Sequence, residues 1–314
     1  MKLGMFIAKA AVSAALLYLL LNKFKLATVW QTLQRSDAVW IAAVLLIFIV
    51  QVVLGSLRWA VIAASCGLPL RARAAIHYTF IGTFFNQLLP STIGGDAARI
   101  WYLAHEQGGW ARGTYSVFID RVVGMLTLTL LVFLCMPWTF ARIDDPAARM
   151  ILVVVGLMCI SGVTGFLALG LLPAKWSDKL WLARHLHETA RTTWRVLATA
   201  RAGSPVIVYS LAINLLSALA WWCTAGAISS SLSFLDALLL VPPVTLIATL
   251  PISIGGWGVR EGAVVAAFAF AGLSSSDGLV MSLIFGLAGL AVGALGGIFW
   301  IMPPPGARPG AVER

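Results

Sequence analysis

The sequence predicts an all-α polytopic membrane protein. About six full spans plus two re-entrant helical hairpins are expected, arranged as an inverted-topology internal repeat. Three observations predict this. Sixty per cent of the 314 residues are apolar and only 11% are charged, whereas soluble domains carry about 25% charged residues. Apolar runs long enough for membrane helices occur at 3–22, 38–57, 114–138, 149–172, 205–228 and 279–302. The phrase "LPSTIGGDAAR" (Leu89 to Arg99) returns as "LPISIGGWGVR" (Leu250 to Arg260), with six of eleven residues identical at an offset of 161.

The run at 3–22 has no small-residue cleavage site after its apolar part, so it reads as a retained helix rather than a cleaved signal. Shifting 38–57 by 161 gives 199–218, which overlaps the run at 205–228. Shifting 114–138 gives 275–299, which overlaps the run at 279–302. A fixed-period similarity of this kind marks an internal duplication. One transmembrane domain, 1–314, is therefore expected, with repeat 1 at about 1–140 and repeat 2 at about 149–302. Three spans per half is an odd number, which inverts the second half relative to the first, as in many transporters.

Between the spans lie the motif segments. "AIHYTFIGTFFNQLL" has 15 residues before Pro90, about 22 Å as a helix against a hydrocarbon core of about 30 Å. Pro90 prevents the helix from continuing, and Gly94 and Gly95 allow a tight reversal. "ALLLVPPVTLIATL" in the second half is as short and carries Pro242 and Pro243. Re-entrant half-helices fit both; full spans on either side of each motif are the other reading. Non-helical backbone at that depth must be shielded by protein or line a water-filled cavity.

The segment 175–201 holds six Lys/Arg and two acidic residues. Its Trp176, Leu180, Ala183, His187, Ala190, Trp194 and Leu197 fall near helical spacing, which predicts a basic interfacial amphipathic helix. By the positive-inside rule it faces the cytoplasm of a bacterial inner membrane. Lys23, Lys25 and Arg35 then fall outside, against the rule.

Charges inside apolar segments are the candidate site. Each costs about 2.5–3.5 kcal/mol at the bilayer centre on insertion scales, and such residues are functional candidates by default. Asp96, Arg99, Arg260 and Glu261 lie in the motifs, and Asp120 and Arg121 in the helix after the first. A helix beginning at or just after Gly95 would present free N–H groups and a partial positive charge. Glycine lets an anion approach the backbone, and the arginine fork suits phosphate oxygens. The second copy repeats this with Gly255, Gly256 and Arg260. Asn86 would hydrogen-bond a headgroup or cap the hairpin. Internal pairing is the competing reading: Asp96 with Arg99 on one helix, and Arg260 with Glu261 across the repeat interface. Arg58 reads most simply as a snorkelling side chain.

Other classes find no support. The net charge of +10 suits topology and anionic headgroups rather than nucleic acid, for which no separate basic domain remains. There is no metal–diphosphate DxD, P-loop or GxSxG, so no catalytic residue, metal or cofactor is expected. Cys66, Cys135, Cys159 and Cys223 are scattered and read as buried free thiols.

The stretches "NQLLPSTIGGDAAR", "DRVVG" and "LPISIGGWGVREG" resemble the flippase-like membrane region of lysylphosphatidylglycerol synthases. The resemblance covers nearly the whole chain. It implies a multispan fold with re-entrant segments and transfer of a lipid between leaflets. It also points to Asp96, Arg99, Asp120, Arg121, Arg260 and Glu261 as site residues. Asp120 stands where many members have glutamate. The family's bifunctional members carry a soluble aminoacyl-transferase domain after the membrane part. This chain resembles a stand-alone member, which is not expected to make the lysyl-lipid itself.

The expected function is therefore a lipid flippase that holds a phosphate by mirrored Gly-Gly/Arg motifs, with Asp96 and Glu261 as counter-charges or as readers of a headgroup amine. An accessory protein that presents a lipid-linked intermediate to a lipid-modifying enzyme or glycosyltransferase is the alternative, and an integral-membrane transferase is a third.

Overall fold

The computed structural model describes residues 11, 14–15, 18–23, 26–88, 93–143, 145–173, 181–249 and 256–302. The described residues are helical, with no strand among them. Among the described residues, 18–23 are helical, and eleven helices follow: α1 Leu26–Gln34, α2 Ala38–Ser65, α3 Ala72–Leu88, α4 Ile93–Gln107, α5 Trp110–Arg142, α6 Pro146–Leu169, α7 Trp181–Ala198, α8 Ala200–Ala227, α9 Phe234–Ala248, α10 Val259–Phe270 and α11 Ser275–Ile301.

Five of them, α2, α5, α6, α8 and α11, are long and apolar enough to cross a membrane. They coincide with five of the six expected runs. The sixth, at 3–22, lies largely outside the described residues. The motif segments form helix pairs: α3 packs against α4, and α9 against α10. These helices have 17, 15, 15 and 12 residues, so none exceeds about 26 Å at 1.5 Å per residue. The Pro90 turn and Gly255 lie outside the described residues. Pro242 and Pro243 sit buried inside α9.

The helix ends follow local chemistry. Asp145 accepts hydrogen bonds from the Ala147 and Ala148 N–H groups at 2.7 and 3.0 Å, opening α6. Ser233 and Asp236 form a reciprocal capping box on α9, and Asp236 also pairs with Arg142 at 3.2 Å.

The chain divides into two compact units. One comprises Met1–Gln51, Val122–Phe166 and Ser210–Gly289; the other comprises Val52–Arg121, Leu167–Tyr209 and Leu290–Arg314. The first contains the second motif and is called the Arg260 unit. The other contains the first motif and is called the Arg99 unit.

In the Arg260 unit the core gathers Trp221, Leu240, Val264, Phe268 and Met281. In the Arg99 unit it gathers Trp59, Ala63, Tyr78, Leu103 and Val117. There, α11 presents Gly293, Gly296 and Gly297 to α3. A Cβ on Gly296 would stand 2.0 Å from the Phe80 carbonyl oxygen, and one on Gly293 would stand 2.6 Å from the Gln87 side chain. In lipid, helices associate by such close packing, because hydrophobic exclusion is absent.

Helix α7 buries His187 and Ala190 and exposes Arg184, Arg191 and Arg195; Trp176 and Leu180 of the same segment lie outside the described residues. Its inward face is more polar than the spacing suggested. Thr189 and Thr193 are also buried, and each donates to the carbonyl four residues earlier, at 2.6 and 2.8 Å. Trp194 is anchored by its Nε1–H, which donates to the Leu167 carbonyl at 2.8 Å.

Candidate functional site

The Arg99 unit assembles five charges from three helices. Arg58 comes from α2, Asp96 and Arg99 from α4, and Asp120 and Arg121 from α5. Arg58 Nε donates to Asp120 Oδ1 at 2.8 Å, and Arg99 Nη2 donates to Asp120 Oδ2 at 3.1 Å. Arg99 Nη1 lies 3.6 Å from Asp96 Oδ1. Arg121 then grips Asp96 with two donors, Nε to Oδ2 at 3.0 Å and Nη2 to Oδ1 at 2.8 Å. The result is a line of alternating sign, Arg58–Asp120–Arg99–Asp96–Arg121, with an arginine at each end.

The line holds three arginines and two aspartates. Among the described residues, Arg99 and Arg121 meet no carboxylates beyond Asp96 and Asp120. Arg99, in the centre, is only 6% exposed, and its buried Nε has no hydrogen-bond partner among the described residues. A buried orphan donor of this kind costs about 1–3 kcal/mol. At the far end, the Arg121 side chain is 52% exposed.

Trp59 supports the centre of the line. The Arg99 guanidinium lies 4.2 Å from the Trp59 ring centroid, a cation–π contact. That ring is fixed by its Nε1–H, which donates to Ser116 Oγ at 3.1 Å.

Adjacent residues on one helix cannot face each other, so Asp120 and Arg121 each needed a separate partner. The structure supplies Arg58 and Arg99 for the first and Asp96 for the second. Asp96 and Arg99 do approach each other, but Arg121 is the closer partner of Asp96. Arg58, expected merely to snorkel, is an ion-pair partner of Asp120. A charge inside the apolar run of α2 was the available signal, and Trp59 beside it gave none.

Helix α4 starts at Ile93, slightly before the expected start at Gly95. The Gly95 N–H donates to Asn86 Oδ1 at 2.9 Å, so Asn86 caps the first turn of α4 from α3. A Cβ on Gly95 would stand 2.1 Å from the Gly82 carbonyl oxygen. Close backbone approach at Gly95 thus serves the α3–α4 crossing. Gly94 opens the same helix and is partly exposed.

The Arg260 unit solves the same problem differently. Gly256 and Gly258 take φ values of +80° and +85°, a region that favours glycine, and the chain turns into α10. Glu261 is fully buried. Its Oε2 accepts the Gly258 N–H at 2.6 Å, which caps the helix. Its Oε1 accepts from Arg260 Nε at 3.0 Å, Arg260 Nη2 at 2.5 Å and Ser282 Oγ at 2.9 Å. The expected pairing of Arg260 with Glu261 across the repeat interface is therefore corrected: the two neighbours pair with each other, because Arg260 folds back over α10. Its guanidinium also lies 4.9 Å from the Trp257 ring centroid. Gly286 on α11 makes room, since a Cβ there would stand 2.3 Å from Arg260 Nη2.

Each motif arginine thus has a carboxylate and a tryptophan face. The partners Ser282 and Gly286 had no signal in the sequence.

His77 is buried beside Tyr78 and Phe299. His105 is exposed, with its ring against Trp101. His185 hydrogen-bonds the Tyr115 hydroxyl through Nδ1. His187 Nδ1–H donates to the Leu169 carbonyl at 2.8 Å. The four cysteines are free thiols; three are buried and Cys66 is partly exposed, so the expectation of burial is corrected at that position.

A family model described as the lysylphosphatidylglycerol synthase TM region matches residues 6–297. No curated protein and no solved structure matches the chain.

Proposed function

The chain belongs to the lysylphosphatidylglycerol synthase TM region family, and from that premise we propose that it moves a phospholipid, or another lipid with an anionic headgroup, between the two leaflets of the membrane. Membership makes it an integral membrane protein of a lipid-related family; the transport activity is our reading. The observation that carries it is the orphan Nε of the buried Arg99, in the same ion-pair line as the exposed Arg121. A lipid phosphate supplies the missing acceptor oxygens.

In this proposal the short pairs α3–α4 and α9–α10 are re-entrant, and the two motifs form an inverted pair. Arg99 and Arg260 are the phosphate contacts, presented alternately to either leaflet by rocking of one repeat against the other. Arg260 holds Glu261 through Nε and Nη2 and keeps Nη1 for a phosphate. Helix α7 lies on the cytoplasmic side, with its basic face at the headgroups.

The test is reconstitution into liposomes with acyl-labelled fluorescent lipids, scored by leaflet-specific quenching. Wild-type protein is expected to move lipid, and Arg99→Gln to abolish movement while inserting normally. Full transfer by Arg99→Gln, or no transfer of any lipid by wild type, overturns the proposal. Lipid binding without transfer would point instead to presentation of a lipid to a partner enzyme.

A further inference from the structure

We infer that this chain pairs with a second copy of itself through one face of α8, with the Asn214 amides of the two copies hydrogen-bonded to each other. The inference does not depend on the proposed lipid transfer.

The depth of Asn214 is the first observation. Helix α8 runs from Ala200 to Ala227 and is long and apolar enough to cross a membrane. Counting from Ala200, Asn214 is the fifteenth of its 28 residues, at the middle of the span. Its side chain is partly exposed and makes no hydrogen bond among the described residues.

The polar groups beside it, all in the Arg260 unit, are satisfied. Gln51 on α2 donates through Nε2 to the Ile213 carbonyl at 3.0 Å and to Ser217 Oγ at 2.8 Å. Ser217 donates in turn to the Ile213 carbonyl at 3.1 Å. Ser210 is buried and has a partner. Of the described polar side chains from Ser210 to Ser217, Asn214 alone is left open.

Depth limits what can meet this amide. Acyl chains neither donate nor accept, and an unpaired amide in hydrocarbon is costly. A lipid phosphate offers acceptors only, so it would satisfy Nδ2 and leave Oδ1 unmet. A carboxamide offers both a donor and an acceptor. Two identical amides related by a two-fold axis therefore satisfy each other, as a self-complementary interface requires.

The surroundings suit a second helix. Leu211, three residues before Asn214, is 41% exposed, and Leu215, the next residue, is 46% exposed. Leu211 lies three and four residues from the other two, so all share one face of α8. In lipid, close packing and hydrogen bonds between helices drive association.

The test is Förster transfer between donor- and acceptor-labelled full-length protein in liposomes, read as lipid is added to dilute the protein. Wild type is expected to form pairs that separate on dilution. Asn214→Leu keeps the size of the side chain and removes both hydrogen-bonding groups. It should weaken pairing by about three- to thirtyfold, the range of measured interhelical hydrogen bonds, about 0.6–2 kcal/mol. Asn214→Gln retains both groups and should pair more tightly than Asn214→Leu. Asn214 bonds nothing within its own copy, so both variants should melt in detergent at the wild-type temperature.

Random proximity alone for wild type, equal pairing by wild type and Asn214→Leu, or equal loss in both variants overturns the inference. A lower melting temperature for Asn214→Leu also overturns it, by revealing a partner within the chain. Pairing that survives Asn214→Leu while lipid transfer stops would set Asn214 against lipid instead and would overturn it as well.

Discussion

Gly95→Ala is the sharpest perturbation available in the Arg99 unit. The new Cβ would fall 2.1 Å from the Gly82 carbonyl oxygen and 2.5 Å from Asn86 Oδ1, where ordinary contacts begin at 3.4 Å. Helices α3 and α4 must therefore part by more than an ångström, because the nearest obstacle is backbone and cannot swing aside. Overpacking of this kind costs about 1–3 kcal/mol. Displacing Asn86 also endangers its hydrogen bond to the Gly95 N–H, a further loss of about 0.5–1.5 kcal/mol. Together these give about 1.5–4.5 kcal/mol of destabilisation.

The control is Gly262→Ala on α10, where an added Cβ meets nothing within 4 Å. There alanine should be neutral or stabilising, since it favours helix over glycine by about 1 kcal/mol. Thermal unfolding of both variants in detergent, followed by tryptophan fluorescence, is the assay. Gly95→Ala should melt well below wild type, and Gly262→Ala at or above it. A Gly95→Ala midpoint equal to wild type would refute the close crossing of α3 and α4.

Gly286→Ala places a Cβ 2.3 Å from Arg260 Nη2 and 2.7 Å from the Trp257 ring, so it should dislodge the guanidinium from Glu261. It is expected to slow lipid transfer in liposomes with little loss of insertion, and unchanged transfer would count against a role for Arg260. Cys66, just after α2, should resist alkylation: burial pushes its thiol from an ordinary 9.0 up to about 11, against an opposing pull from Arg195. The thiolate is the reactive form, so at pH 8 Cys66 should react about a hundredfold more slowly than an exposed thiol and should catch up only as the pH approaches 11. Site-resolved mass spectrometry of iodoacetamide-treated protein measures this, and rapid labelling at pH 8 would contradict it.

The spans were legible because 20 or more apolar residues in a row have few other folds. The short helices were legible by their length, but Gly94 and Gly95, expected to allow a tight reversal, lie inside α4, and Pro242 and Pro243 lie inside α9. Asp96, Arg99, Asp120 and Arg121 were legible as charges in costly places, and they meet in one cluster. Who pairs with whom was not legible, since pairing depends on helix rotation and crossing. Arg58 was discounted because its long stem allows snorkelling, and Ser282 and Gly286 are ordinary residues that matter only through what faces them. Gly95 shows the limit most clearly. Its missing side chain was expected to admit a ligand, yet a neighbouring carbonyl fills the space.

The glycine seam between α11 and α3 has a mechanical corollary. A joint without interlocking teeth owes its strength to proximity alone, and dispersion decays so steeply that a gap of about 1 Å forfeits a quarter to a half of the attraction. Such a clasp is either shut or sprung, with little holding force between the two. Bulk added at Gly293 or Gly296 would therefore unfasten α3 outright rather than loosen it by degrees.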